Sequence, residues 1–152
     1  MTQTMAIQLD ELPSIAGKQI GTSEWIEVTQ ERIDRFADAT DDHQWIHVDE
    51  QRAADGPFGG TIAHGFLTLS LFIPLWSNLL EVTGATTLVN YGLDRVRFTS
   101  PVRAGARVRL TATVVSVDPV ASGGYQMKVA GEMQIEGQDR PAVVIEFISR
   151  VS

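Results

Sequence analysis

"GFLTLSLFIPLW", residues 65–76, is the most apolar run of the chain, and its reading decides the fold. Phe66, Leu67, Leu69, Leu71, Phe72, Ile73, Leu75 and Trp76, continued by Leu79 and Leu80, fall on every face of a helix rather than along one stripe. A helix that is apolar all round has to be surrounded by protein. The run is well short of the ~20 residues that cross a bilayer, and Pro74 interrupts it, so it is predicted to be a buried central helix. The rest of the chain must supply something broad enough to wrap it.

The second half does so. From Thr86 the pattern changes to strands: "TTLVNYGLDRVRF", "RVRLTATVVSV", "YQMKVAGEMQI" and "AVVIEFISRV", separated by turn signals at "TSPVRAG", "DPVASGG" and "EGQDRP". In the third, Tyr125, Met127, Val129, Met133 and Ile135 alternate with Gln126, Lys128, Glu132 and Gln134, the period of a sheet with one buried face. Successive strands with short connections imply an antiparallel meander, and "SEWIEVT" offers a further strand. The expected architecture is α+β, one long antiparallel sheet curled around one helix.

Upstream, Thr29 is placed to cap a short helix whose Ile33, Phe36 and Ala37 share a face and which should end near Thr40. Asp49 is placed to cap a second through "EQRAAD", closed by Gly56 and Pro57. The 152 residues suit a single domain, 1–152, with no repeat, linker or low-complexity run. A formal net charge of −7 opposes nucleic acid as the main partner. The absence of cysteine removes disulfides, thiolate nucleophiles and cysteine-based metal sites, and suits a cytoplasmic protein. The N-terminal stretch lacks the basic and apolar regions of a secretory signal.

Between the two predicted helices lies "TDDHQWIHVD", residues 40–49. His47 follows Asp42 by five positions, and a loop can bring an imidazole and a carboxylate to one water, as acid–base chemistry near neutral pH requires. A hydrogen bond that fixes the loop explains the spacing as well. His43 and His47, at i and i+4, raise a metal reading with Asp42 or His64 as a third ligand, but His43 reads better as an exposed polar residue. "AHGF" opens the apolar helix, where free N–H groups can hold a negative oxygen and Gly65 permits close approach; taken alone, Gly59, Gly60 and Gly65 read better as residues that shape the turn and let helix and sheet pack tightly. Arg95, Arg97, Arg103, Arg107 and Arg109 form a basic cluster that suits phosphates or simply a solvated sheet face. The motifs of dinucleotide sites, P-loops and nucleophile elbows are absent, which leaves activated water as the preferred chemistry.

"FADATDDHQWIHVDEQRA", residues 36–53, resembles the signature of the MaoC-like, R-specific enoyl-CoA hydratases of the hot-dog fold, a group that includes proteins like nodulation protein N. "GPFGGTIAHGFLTLSL" and "YGLDRVRFTSPVRAGARVRL" are similar to the family's helix entrance and following strands. The resemblance implies that Asp42 and His47 activate water, that the Gly65 N–H serves an oxyanion hole, and that the chain is a homodimer with an acyl tunnel near its interface. It implies reversible hydration of trans-2-enoyl thioesters carried on CoA or a carrier protein, with no metal or redox cofactor. His47 would take a proton from water, and Asp42 would orient that water and protonate the α carbon. Substrate contacts are expected from Gln44, Phe66, Arg95 and Arg97, while Phe66, Leu67 and Trp76 either line the tunnel or belong to the core. The chain departs from the family pattern at Asp41, Gln44 and Trp45, where glycine, asparagine and proline are common; Asp41 adds a second carboxylate beside Asp42. A thioesterase or a non-catalytic thioester-binding dimer on the same fold are the competing readings.

Overall fold

The computed structural model describes residues 3–152, so residues 1 and 2, the start of the stretch read above for a signal, lie outside it. In chain order the elements are β1 (Met5–Gln8), a 3-10 helix (Leu9–Ile15), β2 (Gln19–Thr22) and β3 (Ile26–Glu27). The helical middle follows: α1 (Gln30–Thr40), α2 (Trp45–Val48), α3 (Glu50–Ala54), α4 (Gly65–Ser70) and α5 (Phe72–Ser77). The last five strands are β4 (Leu80–Thr83), β5 (Leu88–Phe98), β6 (Arg107–Pro119), β7 (Tyr125–Ile135) and β8 (Val143–Val151).

The caps read from the sequence are in place. The Thr29 side chain accepts from the Arg32 N–H at 3.2 Å, and the Asp49 carboxylate accepts from the Arg52 N–H at 3.0 Å, each satisfying a first-turn donor that has no partner inside its helix. Ile33 and Ala37 of α1 are buried and Phe36 is half-buried. Asp41 ends α1 with φ 59°, the left-handed conformation that glycine adopts without strain.

The central helix differs from its prediction in two ways. It is two short helices joined at Leu71, because Pro74 has no N–H to return to the carbonyl one turn back. Nor is it enclosed: Phe72, Leu75 and Trp76 are buried, but Phe66 is 69% exposed and Leu69 and Ile73 are only half-buried. These three lie at i, i+3 and i+7, one stripe left open beside β5.

The main sheet has the order β2-β6-β7-β8-β5, with β3 also pairing β6. The predicted meander holds for β6, β7 and β8, which pair antiparallel in succession. It fails for β5, which lies at the far edge against β8 instead of beside β6. The connection after β5 is recruited elsewhere. Its Val102 carbonyl accepts from Ala63 N–H at 2.8 Å, and its Ala104 N–H donates to Thr61 at 3.0 Å, so it runs over the entrance to α4. A separate parallel pair, β1 with β4, closes the other end of the core.

One face of the sheet packs on α4 and α5, where Phe72 meets Phe147 at 5.0 Å between ring centroids. Gly131 of β7 makes this approach possible, since a Cβ there would lie 2.7 Å from the Phe72 ring. Val108, Leu110, Val114, Met127, Val129, Met133 and Ile145 complete a core in which each enclosed side chain contributes ~1.5–3 kcal/mol.

Candidate active site

His47 sits on α2, a single turn that the sequence reading treated as loop, and it is held from several directions. Its N–H donates to the Gln44 carbonyl at 2.9 Å, its own carbonyl accepts from the Gln30 side chain at 2.8 Å, and its Nδ1 faces the Ile62 carbonyl at 2.7 Å. A carbonyl only accepts, so Nδ1 carries the hydrogen and Nε2 keeps its lone pair. Ile62 N–H returns a bond to the Ile46 carbonyl at 3.0 Å, locking α2 to the segment that leads into α4. Burial holds the His47 pKa below the ordinary 6.5, opposed by the Ile62 hydrogen bond and by the Asp42 charge.

Asp42 follows the left-handed Asp41 and is exposed, with its Oδ1 near the Gln44 N–H at 3.4 Å. One oxygen of Asp42 and one nitrogen each of His47 and His64 lie within 4.8 Å of one another. A separation of that size is one that a single water can span by hydrogen bonds.

His64, considered from sequence only as a possible third metal ligand, is 2% exposed. Its ring stacks on His47 at 3.8 Å and 24°, Phe36 covers it from α1 at 4.8 Å, and its Nε2 donates to the Asp42 carbonyl at 2.9 Å. The His43–His47 pairing weighed from the sequence as a metal site is not formed, while ligand atoms of Asp42, His47 and His64 do lie within 4.8 Å of one another. His43 turns outward to Asp38, at 2.9 Å, and reads as the exposed polar residue expected of it.

Gly65 opens α4, and a first-turn N–H has no acceptor inside its own helix. Phe98 lies across it, 3.3 Å from where a Cβ would stand. Beside it is an apolar cleft of about 240 Å³ lined by Phe58, Ile62, Ala63, Thr68, Phe98, Val102 and Val143. Since α4 has six residues, the N–H itself rather than a long macrodipole is what a negative oxygen would meet.

The other predicted residues fall in different places. Phe66 stands exposed near the cleft, edge-on to Phe98 at 6.2 Å, while Leu67 and Trp76 are core. Gln44 makes no side-chain cap bond. Arg95 and Arg97 pair with Glu146 and Val144, on the sheet face turned away from α4, and so do not reach the cleft. Arg109 lies over the Trp25 ring at 4.4 Å, and Arg107 pairs with Glu136 at 2.9 Å. Arg103 alone of the cluster serves the site region, donating to the Phe58 carbonyl at 2.9 Å under the Gly59–Gly60 turn. The second carboxylate at Asp41 adds to the pull of Asp38 in favouring the charged form of His43. Trp45 anchors the loop as an apolar group, stacked under Arg52 at 4.2 Å and against Gly56. Gln30 was missed, because a glutamine at the start of an amphipathic helix carries no sequence mark of a bond to the His47 carbonyl.

Residues 11–134 match the family described as MaoC like domain. The chain is 49% identical over 140 residues to 3-hydroxyacyl-thioester dehydratase Z of Mycobacterium tuberculosis, covering 92% of this chain and 93% of that one. It is 47% identical over 147 residues to nodulation protein N of Rhizobium leguminosarum bv. viciae, covering 94% and 90%. Among solved structures, the (R)-hydratase of A. caviae involved in PHA biosynthesis superposes with a TM-score of 0.72 at 22% identity, over 90% of this chain and 96% of that one. That likeness establishes the hot-dog fold.

Proposed function

The chain belongs to the MaoC-like dehydratase family, and from that premise we propose that it is a hydro-lyase that reversibly hydrates trans-2-enoyl thioesters to (R)-3-hydroxyacyl thioesters. One observation carries the reading: His47 is fixed by Ile62 with Nε2 unprotonated, and a carboxylate oxygen of Asp42 lies within one water of the pair's shared gap.

In the hydration direction, water held between the two side chains adds its oxygen to the β carbon. His47 Nε2 takes the proton that leaves the water, and Asp42, which orients that water, relays a proton to the α carbon. Transfer of the proton from His47 to Asp42 across the same gap supplies that proton and restores the starting state. The negative charge that develops on the thioester carbonyl oxygen is met by the Gly65 N–H. The chemistry is acid–base throughout and calls on no metal or redox cofactor. The substrate is carried on CoA or an acyl carrier protein.

We further assign a homodimer of single-domain chains, acting in the cytoplasm. Support for the dimer is the open stripe Phe66, Leu69 and Ile73 beside exposed Leu88, Leu93 and Phe98 on the unpaired edge strand β5. Among the described residues no helix is long and apolar enough to cross a membrane.

The test follows the loss of enoyl-thioester absorbance on crotonyl-CoA and longer enoyl-CoAs, with free thiol monitored in parallel. Folded Asp42→Asn and His47→Gln variants should each lose about 10²–10⁴-fold in kcat. Thiol release without loss of the double bond would instead identify a thioesterase, and binding without turnover a non-catalytic module.

A further inference from the structure

We propose that His64 is a positioning residue for the Asp42/His47 pair, a role that rests on the hydratase reading above. Three contacts place it between the two groups. Its Nε2–H holds the main-chain carbonyl of Asp42 at 2.9 Å, its ring face lies on the His47 ring at 3.8 Å, and Phe36 backs it on α1 at 4.8 Å. It is also the residue immediately before Gly65, so the same backbone that presents the oxyanion N–H carries the ring that orients the acid–base pair.

Asp42 needs such a tether. It follows a left-handed residue, it is exposed, and among the described residues its side chain has only the 3.4 Å hydrogen bond from the Gln44 N–H. The ring of His64 is 2% exposed, and its Nδ1 has no hydrogen-bond partner among the described residues, a cost that a buried histidine retained only for packing would avoid. The donor to Asp42 and the flat face to His47 are what an aliphatic side chain of similar volume cannot supply together.

The experiment compares His64→Leu, which fills the space without a donor, with His64→Gln, whose amide N–H reaches as far as Nε2. His64→Leu is expected to lower kcat about 10- to 100-fold with KM within about threefold, and His64→Gln to recover most of that loss. The three histidines also allow each ring to be followed by 15N NMR in the absence of substrate. The His47 signals should move in His64→Leu and return toward wild type in His64→Gln. Wild-type kcat in a folded His64→Leu protein, or equal loss in both variants, overturns the proposal. A wild-type protein that does not hydrate enoyl thioesters overturns the function reading instead; the NMR comparison then decides the positioning role, with unmoved His47 signals counting against it.

Discussion

His47 Nδ1 and the Ile62 carbonyl, 2.7 Å apart, fix both the tautomer and the direction of the imidazole. A ring so held, buried and kept below its ordinary pKa is neutral at neutral pH and ready to accept a proton at Nε2. The acid limb of kcat/KM is therefore expected to have its midpoint below 6.5, and to disappear with the activity in His47→Gln.

The same shift predicts a pH dependence of stability. Because the folded pKa of His47 is lowered, the unfolded chain binds more protons once the pH drops below 6.5. Stability is full above that value and is lost progressively as the pH falls toward the folded pKa. Urea unfolding across this window should show a steeper acid loss for wild type than for His47→Gln. His43 titrates in the opposite sense, since its hydrogen bond to Asp38 favours the charged ring, but it is exposed and adds little.

Asp41 at φ 59° adopts a conformation that costs a β-branched residue most. Asp41→Val is expected to lower stability by about 1–3 kcal/mol and to reduce activity by displacing Asp42, whereas Asp41→Gly should retain both. Chemical denaturation and the enoyl-thioester assay check the two halves of this expectation.

Gly131→Ala places a methyl 2.7 Å from the Phe72 ring and 3.0 Å from Leu110, inside a packed layer that cannot simply move aside. A destabilisation of about 1–3 kcal/mol is expected from overpacking, read as a fall in the denaturant midpoint without change in slope.

Leu93→Lys puts a charge on the helix-facing side of the edge strand β5, opposite Phe147. If the edge is covered by a second copy, the variant should sediment as a monomer where the wild type sediments as a dimer. Sedimentation velocity reads the outcome, and a monomeric wild type would remove the proposed interface.

Much of this was legible in the chain. The caps at Thr29 and Asp49 and the alternation in β7 are local signals, settled by residues within a turn or a strand of one another. The Asp42/His47 spacing became specific only through its resemblance to a family. What the sequence hid was long-range. Nothing in "LVNYGLDRVRF" says that its neighbour is β8 rather than β6, and the parallel pairing of β1 with β4 joins two short runs with no periodic mark. His64 could have been suspected from its setting, since Ile62, Ala63 and Leu67 around it are all buried; a polar residue within an apolar run is the one signal available. Its stacking on His47 depends on how α2 and α4 meet, which no local pattern encodes.

The crossing of β5 to the far edge also has a bearing on how the protein is made. Strand β5 finds its hydrogen-bonding neighbour in β8, which leaves the ribosome after β6 and β7. During synthesis, then, the nascent chain carries the Asp42/His47 segment and an unpaired strand with exposed Leu88, Leu93 and Phe98 for as long as the three later strands take to emerge. Closure of the sheet is a late event with high contact order, and the interval before it is when the chain is most open to wrong partners.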